Sequence, residues 1–388
     1  MSFAPQLLYA DLGGVGKAFG SVILSASGTG LYGCSLRELV IAMSKEQERL
    51  LRIAVIGVGS FGRNHARVYR ELANEQQAGA VGKLELAAVV DRDRARAEAV
   101  AAEFGARAYT DVDALLANEK IDAATVAVPT IAHLAVARTL LETGVDVLVE
   151  KPLAVDLAEA DTLIELTRKH GRVAQVGHLE RFNPAVRAAL PHVSRPMFFE
   201  VHRLSVFTPR SLDVDVVMDL MIHDLDVVLS LVDSPIRDIR AVGLPVLTTK
   251  VDIANVRVEF ESGCVANFTA SRVSTERVRK LRFFQPQQYV SLDFSRRDVF
   301  MLTVKPAGAG QGGRSFSLPE VVASKPEVVS EEPLRAELRS FLEAVAGRTR
   351  PVVSLEDGRR ALDLALQVRS RMEEHSRRVG LPGLMNLR

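Results

Sequence analysis

Two short patterns in the sequence bring together side chains that can move protons. One apolar run ends in Glu150 and Lys151, and an amine that loses its water of hydration favours the neutral form. The other pattern places Asp219 and His223 four residues apart, so a helix presents both on one face. A carboxylate one turn from an imidazole orients the ring and stabilises its protonated form. These groups suit the removal of a proton from a hydroxyl group while hydride leaves the same carbon.

A third polar segment, residues 177–184, is non-periodic and rich in charged and amide side chains, which is typical of polar-ligand recognition. Arg181 is its candidate for binding a phosphate or carboxylate, because a guanidinium presents a fork of donors. A purely structural arginine is the alternative. The predicted substrate contacts are Lys151, His178, Arg181, Asn183 and His223.

The element that must position these groups begins at Arg52. An apolar strand pattern is followed by Gly57, Gly59 and Gly62 at GxGxxG spacing, and a helix pattern starts directly after. The glycines allow a tight turn, a close approach of backbone to a pyrophosphate, and close packing of helix on strand. The free N–H groups at the start of the helix favour phosphates. A second strand pattern ends at Asp91, which can accept the ribose hydroxyls of NAD.

The loop after the fourth predicted strand carries Pro129, Thr130 and His133, at the sheet edge where ligands of such folds bind. A histidine paired with backbone at a helix start is an equal alternative for His133. Arg92 follows Asp91, and an arginine there can hold a 2′-phosphate, so NADP stays open beside NAD. The predicted cofactor contacts are Gly57, Gly59, Ser60, Phe61, Gly62, Asp91, Arg92, Pro129, Thr130, His133 and Glu150.

Alternating strand and helix patterns up to about residue 176 predict a doubly wound parallel sheet, the α/β class. The predicted helices there are 62–78, 92–104, 111–118, 131–143 and 156–170, and the strands are 52–56, 85–90, 107–109, 123–128, 145–149 and 172–176. Longer strands of alternating polarity follow, typical of an antiparallel sheet. They are 198–207, 253–261, 264–273, 280–291 and 298–304, with helices at 214–232, 334–347 and 355–374 and a mobile loop at 307–333.

This pattern predicts three parts of the chain. We expect an N-terminal dinucleotide-binding Rossmann domain over 49–176. We expect a C-terminal α+β domain with a large, open, mainly antiparallel sheet over 177–388, for substrate binding and oligomerisation. Residues 1–48 lack helical or strand periodicity, and we expect a disordered extension or a mis-assigned start, with a signal peptide as the weaker alternative.

Composition excludes several classes of function. The chain has 388 residues, with 49 Lys and Arg against 48 Asp and Glu, so it offers no basic surface for nucleic acid or an anionic membrane. No apolar stretch reaches the ~18 residues of a membrane span. Its two cysteines and eight histidines show no disulfide or metal-ligand spacing, so we expect no metal and a cytoplasmic protein.

Together these patterns resemble the Gfo/Idh/MocA oxidoreductase family over about residues 50–375. The matching features are, in chain order, GxGxxG with His65, the loop from Pro129 to His133, Glu150-Lys151-Pro152, and the spacing of Asp219 and His223. The resemblance implies a catalytic group of Lys151, Asp219 and His223, with His223 accepting the proton. It also implies a homodimer or homotetramer formed through the open sheet.

Within the family, segment 177–184 is similar to that of members that oxidise UDP-N-acetylglucosamine at C3 with NAD, after which an aminotransferase makes the 3-amino sugar of lipid A. The leading hypothesis is therefore an NAD-dependent dehydrogenase of such a nucleotide sugar. His223, oriented by Asp219, accepts the hydroxyl proton, and Lys151 holds the same oxygen. The alternatives are a dehydrogenase of a free polyol such as inositol, for which Arg181 is spare, and a catalytically silent NAD-binding sensor.

Overall fold

The computed structural model describes residues 50–75, 82–208, 214–305 and 320–380. These residues all belong to one compact unit, Lys45–Arg388. The predicted N-terminal extension, 1–48, lies outside the described residues, and so does the part of the predicted mobile loop that runs from 307 to 319.

The first sheet has six parallel strands in the order β3-β2-β1-β4-β5-β6, as the doubly wound prediction requires. The order reverses between β1 and β4, and a crevice forms at the carboxyl ends of the strands at such a point. Its strands are β1 Leu50–Ile56, β2 Lys83–Val90, β3 Arg107–Tyr109, β4 Ala123–Val126, β5 Asp146–Glu150 and β6 Ala174–Gly177, and its helices are α1 Ser60–Asn74, α2 Arg94–Phe104, α3 Val112–Asn118, α4 His133–Glu142 and α5 Leu157–Lys169.

The second sheet has eight strands in the order β14-β13-β12-β11-β7-β10-β9-β8. Neighbouring strands are antiparallel except β7 and β10, which are parallel. Its strands are β7 Phe198–Leu204, β8 Ile236–Leu244, β9 Ile253–Phe260, β10 Val265–Ser271, β11 Val278–Gln285, β12 Gln288–Asp293, β13 Asp298–Lys305 and β14 Glu320–Ser324. The remaining helices are α6 Pro184–Ala189, α7 Ile222–Leu231, α8 Pro333–Gly347 and α9 Leu355–Val379.

The structure corrects three details of the sequence prediction. The single strand predicted at 280–291 is a hairpin of β11 and β12, because the backbone turns back at Gln287, whose φ is +63°. The predicted mobile loop ends in a strand, β14, which pairs with β13 at the edge of the sheet. Strand β8 was not predicted, since it is an edge strand whose outward residues are charged.

A continuous apolar core joins the two sheets. One cluster of buried side chains runs from Val126 and Val147 of the first sheet to Phe199 and Val256 of the second. A separate cluster covers the opposite face of the first sheet, and it includes six residues of α8, which are Leu334, Leu338, Phe341, Leu342, Ala344 and Val345. Helix α8 therefore packs on the Rossmann sheet, although the predicted division placed it in the C-terminal domain.

Helix α8 also brings an ionisable group into the interior. The side chain of Glu337 is 1% exposed. Burial, together with the negative charges of Glu150 and Asp226, raises the pKa of this carboxyl well above its usual value. The folded protein therefore favours the protonated acid, since a buried carboxylate without a cation is costly.

We predict that Glu337→Gln stabilises the protein increasingly as the pH rises. A group whose pKa is raised on folding stabilises the native state at low pH. That contribution is lost as the pH climbs from the unfolded value towards the folded one, at up to about 1.4 kcal/mol per pH unit. The amide has no proton to lose, so the difference in unfolding temperature between variant and parent should widen from pH 5 to pH 8. Glu343→Gln, at an exposed position of the same helix, is the control, and a pH-independent difference at Glu337 would contradict the prediction.

Candidate active site

The turn between β1 and α1 forms a cradle of bare backbone. Gly57 has a φ of +86°, and a Cβ there would lie 2.6 Å from the carbonyl oxygen of Ala127. A Cβ on Gly62 would collide with the carbonyl oxygen of Gly57, whereas a Cβ on Gly59 would meet nothing within 4 Å. The first and third glycines are thus required by packing, and the second leaves an open approach to the backbone. The cradle fits the pyrophosphate of a dinucleotide.

The start of α1 completes this cradle. Gly59 caps the helix without a side-chain hydrogen bond, and the first turn contains no acidic residue. The exposed residues Ser60 and Phe61 lie in this first turn, whose N–H groups and positive dipole end favour phosphate. These predicted contacts lie together at the carboxyl edge of the sheet.

Asp91 lies at the end of β2, beside the cradle. Its carboxylate accepts hydrogen bonds from the backbone N–H groups of Val58 (3.0 Å) and Asp93 (3.0 Å). Arg96, which the sequence did not single out, lies 3.3 Å from the same carboxylate, and Arg92 is exposed. Asp91 therefore both shapes the glycine turn and presents negative charge where a ribose would lie.

His133 links two loops instead of facing the cradle with a free nitrogen. Its Nε2 lies 3.0 Å from the carbonyl oxygen of Val128, and its Nδ1 lies 3.1 Å from that of Pro152. Burial lowers the pKa of this ring, which is 1% exposed. Of the two roles left open by the sequence, the backbone-paired one is what the structure shows. The neighbouring Pro129 is exposed and Thr130 is half-buried, so these two remain the candidates for cofactor contact in this loop.

Glu150 ends β5 in a buried polar contact. Its Oε1 lies 2.9 Å from His65 Nε2 on α1. Burial alone would raise the pKa of the Glu150 carboxyl, but His65 and Lys151 outweigh it and hold the pKa below its usual value. A Cβ on Gly177 of the adjacent strand would lie 2.9 Å from this carboxyl group. Glu150 thus ties α1 to the strand that delivers Lys151.

Lys151 reaches across to the second half of the chain. Its Nζ donates a hydrogen bond to the backbone oxygen of Asp219 (2.9 Å) and lies 3.7 Å from Asp219 Oδ1. Burial lowers the pKa of the Lys151 amine, and the nearby carboxylates of Asp219 and Glu150 oppose this shift. Two members of the predicted catalytic group, Lys151 and Asp219, are therefore in direct contact.

The predicted hydrogen bond between Asp219 and His223 is not formed. Val217–Met221 is a π-helical turn, whose i→i+5 bonds change the angle between residues four apart. Asp219 turns to Lys151, and His223 Nδ1 is buried without a hydrogen-bond partner among the described residues. The expectation that Asp219 orients His223 is corrected on this point.

His223 is nonetheless suited to accept a proton. Its ring is partly exposed, while its Nδ1 is not. Burial, reinforced by the positive charges of Lys151 and Arg203, holds the pKa of His223 well below its usual value. The imidazole is therefore neutral at neutral pH. His178 packs edge-on against it, with ring centroids 6.5 Å apart, and burial lowers the pKa of His178 as well.

Arg181 is held inside the protein, contrary to the expectation that it binds a substrate phosphate. Its Nε lies 3.1 Å from Asp226 Oδ2, and its Nη2 lies 3.9 Å from Asp357 Oδ1. Asp226 is 2% exposed, and a buried carboxylate needs a cation nearby. The guanidinium is thus occupied by two carboxylates of its own chain.

Asn183 is also used internally. Its Oδ1 caps α6 by accepting from the N–H of Ala185 (3.0 Å), and its Nδ2 donates to Glu180 (2.9 Å) and to the carbonyl oxygen of Phe294 (3.1 Å). With both amide atoms engaged in a buried position, Asn183 shapes the segment 177–184 and does not present a free amide to substrate.

Sequence reasoning missed a buried ionic cluster centred on Arg203. This arginine of β7 donates two 2.7 Å bonds to the carboxylate of Asp224 and one of 3.0 Å to Glu180. Arg203 and Asp224 are both 2% exposed. Asp224 directly follows His223, so the cluster fixes the start of α7. Its only signal in the sequence is an arginine at a core-facing position of an alternating strand.

The assembled site thus holds a dinucleotide cradle, an amine and a neutral imidazole. Such a set can bind a nicotinamide cofactor, hold a hydroxyl oxygen and remove its proton. The fold and the site define a nicotinamide-dependent oxidoreductase.

A model of the oxidoreductase family with an NAD-binding Rossmann fold matches residues 51–178, and a model of the GFO/IDH/MocA C-terminal domain matches residues 186–285. The chain belongs to the Gfo/Idh/MocA family, and it is an NAD(P)-dependent dehydrogenase acting on CH–OH groups.

Individual relatives differ in how much of the chain they match. UDP-N-acetylglucosamine 3-dehydrogenase from Acidithiobacillus ferrooxidans is 39% identical over 324 residues, covering 83% of this chain and 97% of the relative. A solved structure of that enzyme superposes with a TM-score of 0.74 at 37% identity, covering 84% of this chain and 99% of the other. Myo-inositol 2-dehydrogenase from Thermotoga maritima is 25% identical over 340 residues, covering 84% of this chain and 97% of the relative. Levoglucosan dehydrogenase in complex with NADH and levoglucosan shares the fold, at 16% identity and a TM-score of 0.72 over 84% of this chain and 98% of the other.

We predict opposite failures for two alanine substitutions in the cradle. Gly62→Ala places a methyl group against the Gly57 carbonyl oxygen and should destabilise the protein by about 1–3 kcal/mol. Gly59→Ala meets no protein atom within 4 Å, so it should unfold at the parental temperature yet weaken NADH binding by about tenfold or more, or ~1.4 kcal/mol. Thermal unfolding and NADH fluorescence titration measure the two effects. Parental NADH affinity in Gly59→Ala would show that the cofactor does not approach this backbone.

We also predict that Asp91→Asn reduces the preference for NADH over NADPH. The amide is a poorer acceptor for ribose hydroxyls and no longer repels a 2′-phosphate. The affinity for NADH should fall by about tenfold, or ~1.4 kcal/mol, while that for NADPH stays or improves. Asp93→Asn, which keeps an acceptor at the helix cap, is the control. An equal loss for both cofactors would mean that Asp91 acts only through the glycine turn.

Proposed function

We propose that this protein oxidises the C3 hydroxyl of a nucleotide sugar, UDP-N-acetylglucosamine or a close relative, to the 3-keto sugar with NAD. The proposed substrate rests on the 39% identity of the chain to a UDP-N-acetylglucosamine 3-dehydrogenase along 97% of that enzyme. The neutral imidazole and the buried amine at the crevice support the chemistry.

His223 is the proposed proton acceptor. The neutral ring takes the proton of the hydroxyl group as the carbon gives up hydride. Bound NAD supplies the hydride acceptor at its nicotinamide ring. The cations around His223 that lower its pKa disfavour the imidazolium that forms, so the proton is released readily to solvent after the reaction.

Lys151 is proposed to hold the same hydroxyl oxygen by a hydrogen bond. Asp219 then acts on Lys151 and not on His223, because its backbone oxygen and carboxylate both lie near Nζ. This contact fixes the amine at the crevice and opposes the lowering of its pKa by burial. His178, packed on His223, completes the proposed substrate contacts.

Oxidation of a free polyol such as inositol is the second candidate. The match to a myo-inositol 2-dehydrogenase over 97% of its length favours it, and so does the occupation of Arg181 by two carboxylates.

The proposal extends to the biological setting of the enzyme. It includes a homodimer or homotetramer formed through the open sheet and a cytoplasmic location where NAD is available. It also includes an aminotransferase that takes the 3-keto sugar towards lipid A.

The experiment that tests the proposal follows NADH absorbance when the purified protein meets NAD and UDP-N-acetylglucosamine. Glutamate and a 3-aminotransferase pull the unfavourable oxidation forward. His223→Asn should lower kcat by about 10²- to 10⁴-fold, the contribution typical of a general base, without changing NADH affinity. Because the pKa of His223 is lowered, activity should persist as the pH falls through 6.5 and decline only below it.

Three outcomes would change this assignment. Turnover of inositol or a free sugar alone would replace the nucleotide sugar by the second candidate. Tight NAD binding without turnover of any sugar would favour a silent sensor. Loss of NADH binding in folded His223→Asn would place this ring at the cofactor.

A further inference from the structure

We propose that Arg279, on β11, binds the diphosphate group of the nucleotide-sugar substrate. This inference rests on the proposed function. It supplies the phosphate-binding residue for which the sequence suggested Arg181, and it makes Arg279 a specificity determinant between nucleotide sugars and free sugars.

The chemistry of the substrate limits where such a residue can lie. In a nucleotide sugar the diphosphate is attached to C1, two bonds along the ring from C3. If His223 removes the C3 hydroxyl proton, the phosphate next to the sugar is separated from the same imidazole only by the width of the sugar ring and one hydrogen bond. The cation that binds it must therefore be one whose charge reaches His223. Arg279 meets this condition, because it lies opposite Arg203, which binds the residue that follows His223. Its charge is also among those that lower the pKa of His223.

Strand register places Arg279 beside the catalytic region. Strands β11 and β7 are antiparallel, and Arg279 lies directly opposite Arg203. Opposite residues have Cβ atoms about 4.5–5.5 Å apart and point to the same face. Arg203 in turn donates two hydrogen bonds of 2.7 Å to the carboxylate of Asp224, and Asp224 follows His223 in α7. Arg279 thus stands one side chain away from the helix that carries the proposed proton acceptor.

The two arginines differ in how their charges are balanced. Like charges directly opposite each other in a sheet are destabilising. Asp224 and Glu180 both bind Arg203, whereas Arg279 makes no ion pair within 4.0 Å in the part of the chain that the structure describes. Partial burial and the adjacent Arg203 lower the pKa of Arg279, although the charges of Glu180 and Asp224 oppose this shift. An anion bound at Arg279 would relieve this repulsion.

The exposure of Arg279 fits a ligand contact. Arg203 is 2% exposed, but Arg279 remains exposed at the end of the same row of side chains. Arg277, two residues earlier, is also exposed, and its positive charge contributes to the lowered pKa of Arg279. A guanidinium that is accessible, close to the catalytic helix and without a carboxylate partner among described residues is well suited to bidentate binding of phosphate oxygens.

The test compares Arg279→Gln with the parent and with Arg282→Gln. Arg282 lies on the same strand but the opposite face, paired with Glu200 at 3.5 Å, so it controls for lost charge and altered strand stability. UDP binding is measured by isothermal titration calorimetry with NADH present, and kcat and KM are measured for UDP-N-acetylglucosamine and for free N-acetylglucosamine. Arg279→Lys keeps the positive charge but not the planar guanidinium, and it controls for a folding defect caused by loss of the charge.

We expect Arg279→Gln to raise the Kd of UDP and the KM of the nucleotide sugar by about 10- to 100-fold, the loss of a charge-assisted hydrogen bond pair. NADH affinity should not change, and kcat/KM for the free sugar should fall far less than kcat/KM for the nucleotide sugar. Arg282→Gln should behave as the parent, and Arg279→Lys should lie between. Added salt should weaken UDP binding by the parent more than by Arg279→Gln.

The outcomes separate this inference from the proposed function. Parental UDP affinity in Arg279→Gln, with a parent that oxidises UDP-N-acetylglucosamine, overturns the role of Arg279 alone. Weaker NADH binding in Arg279→Gln assigns the residue to the cofactor and also overturns it. A parent that binds UDP through Arg279 but oxidises a carbon other than C3 supports the inference and contradicts the assigned carbon. A parent that neither binds UDP nor oxidises the nucleotide sugar overturns both.

Discussion

The placement of α7, the helix that carries the proposed proton acceptor His223, depends on the buried charge of Arg203. A guanidinium removed from water costs several kcal/mol unless carboxylates surround it. Arg203 is satisfied by Asp224 at the start of α7 and by Glu180 in the segment that follows the first sheet. These bonds join β7, α7 and the end of the Rossmann half at one point. Their main effect is on geometry, since a small shift of α7 would break them and would move His223 with it.

The π-helical turn before α7 separates two residues of the proposed catalytic group, Asp219 and His223. A regular helix would stack Asp219 on His223 and make them a pair. The wider turn at Val217–Met221 places the carboxylate of Asp219 near Lys151. It leaves the imidazole of His223 near the positive charges of Lys151 and Arg203. Single π-turns are frequent at functional sites. Here the turn separates Asp219, which contacts the amine of Lys151, from His223, the residue proposed to accept the proton.

Features set by local sequence were predicted, and features set by distant partners were not. The glycine turn, Asp91 and the alternating strands are visible because each follows from spacing within one segment. Arg181 and Asn183 were assigned to substrate because a sequence does not show that Asp226 and Phe294 lie beside them. Arg203 was overlooked for the same reason, since its partners are 21 and 23 residues away in the chain. The hairpin at Gln287 was missed because a turn residue with positive φ that is not glycine gives little sequence signal.

The return of α8 to the first sheet has a consequence for protein synthesis. Leu338 and Phe341 cover Leu51 and Ile53 on one face of the Rossmann sheet, and Glu332, just before this helix, binds Arg67 of α1 at 2.5 Å. A growing chain emerges from the ribosome with its N-terminal part first. The nucleotide-binding sheet ends at Gly177, yet the part of its face that α8 covers stays open until the chain has reached residues 333–347. Completion of this face therefore comes well after the synthesis of the sheet itself, and exposed apolar surface of this kind favours aggregation and the binding of chaperones.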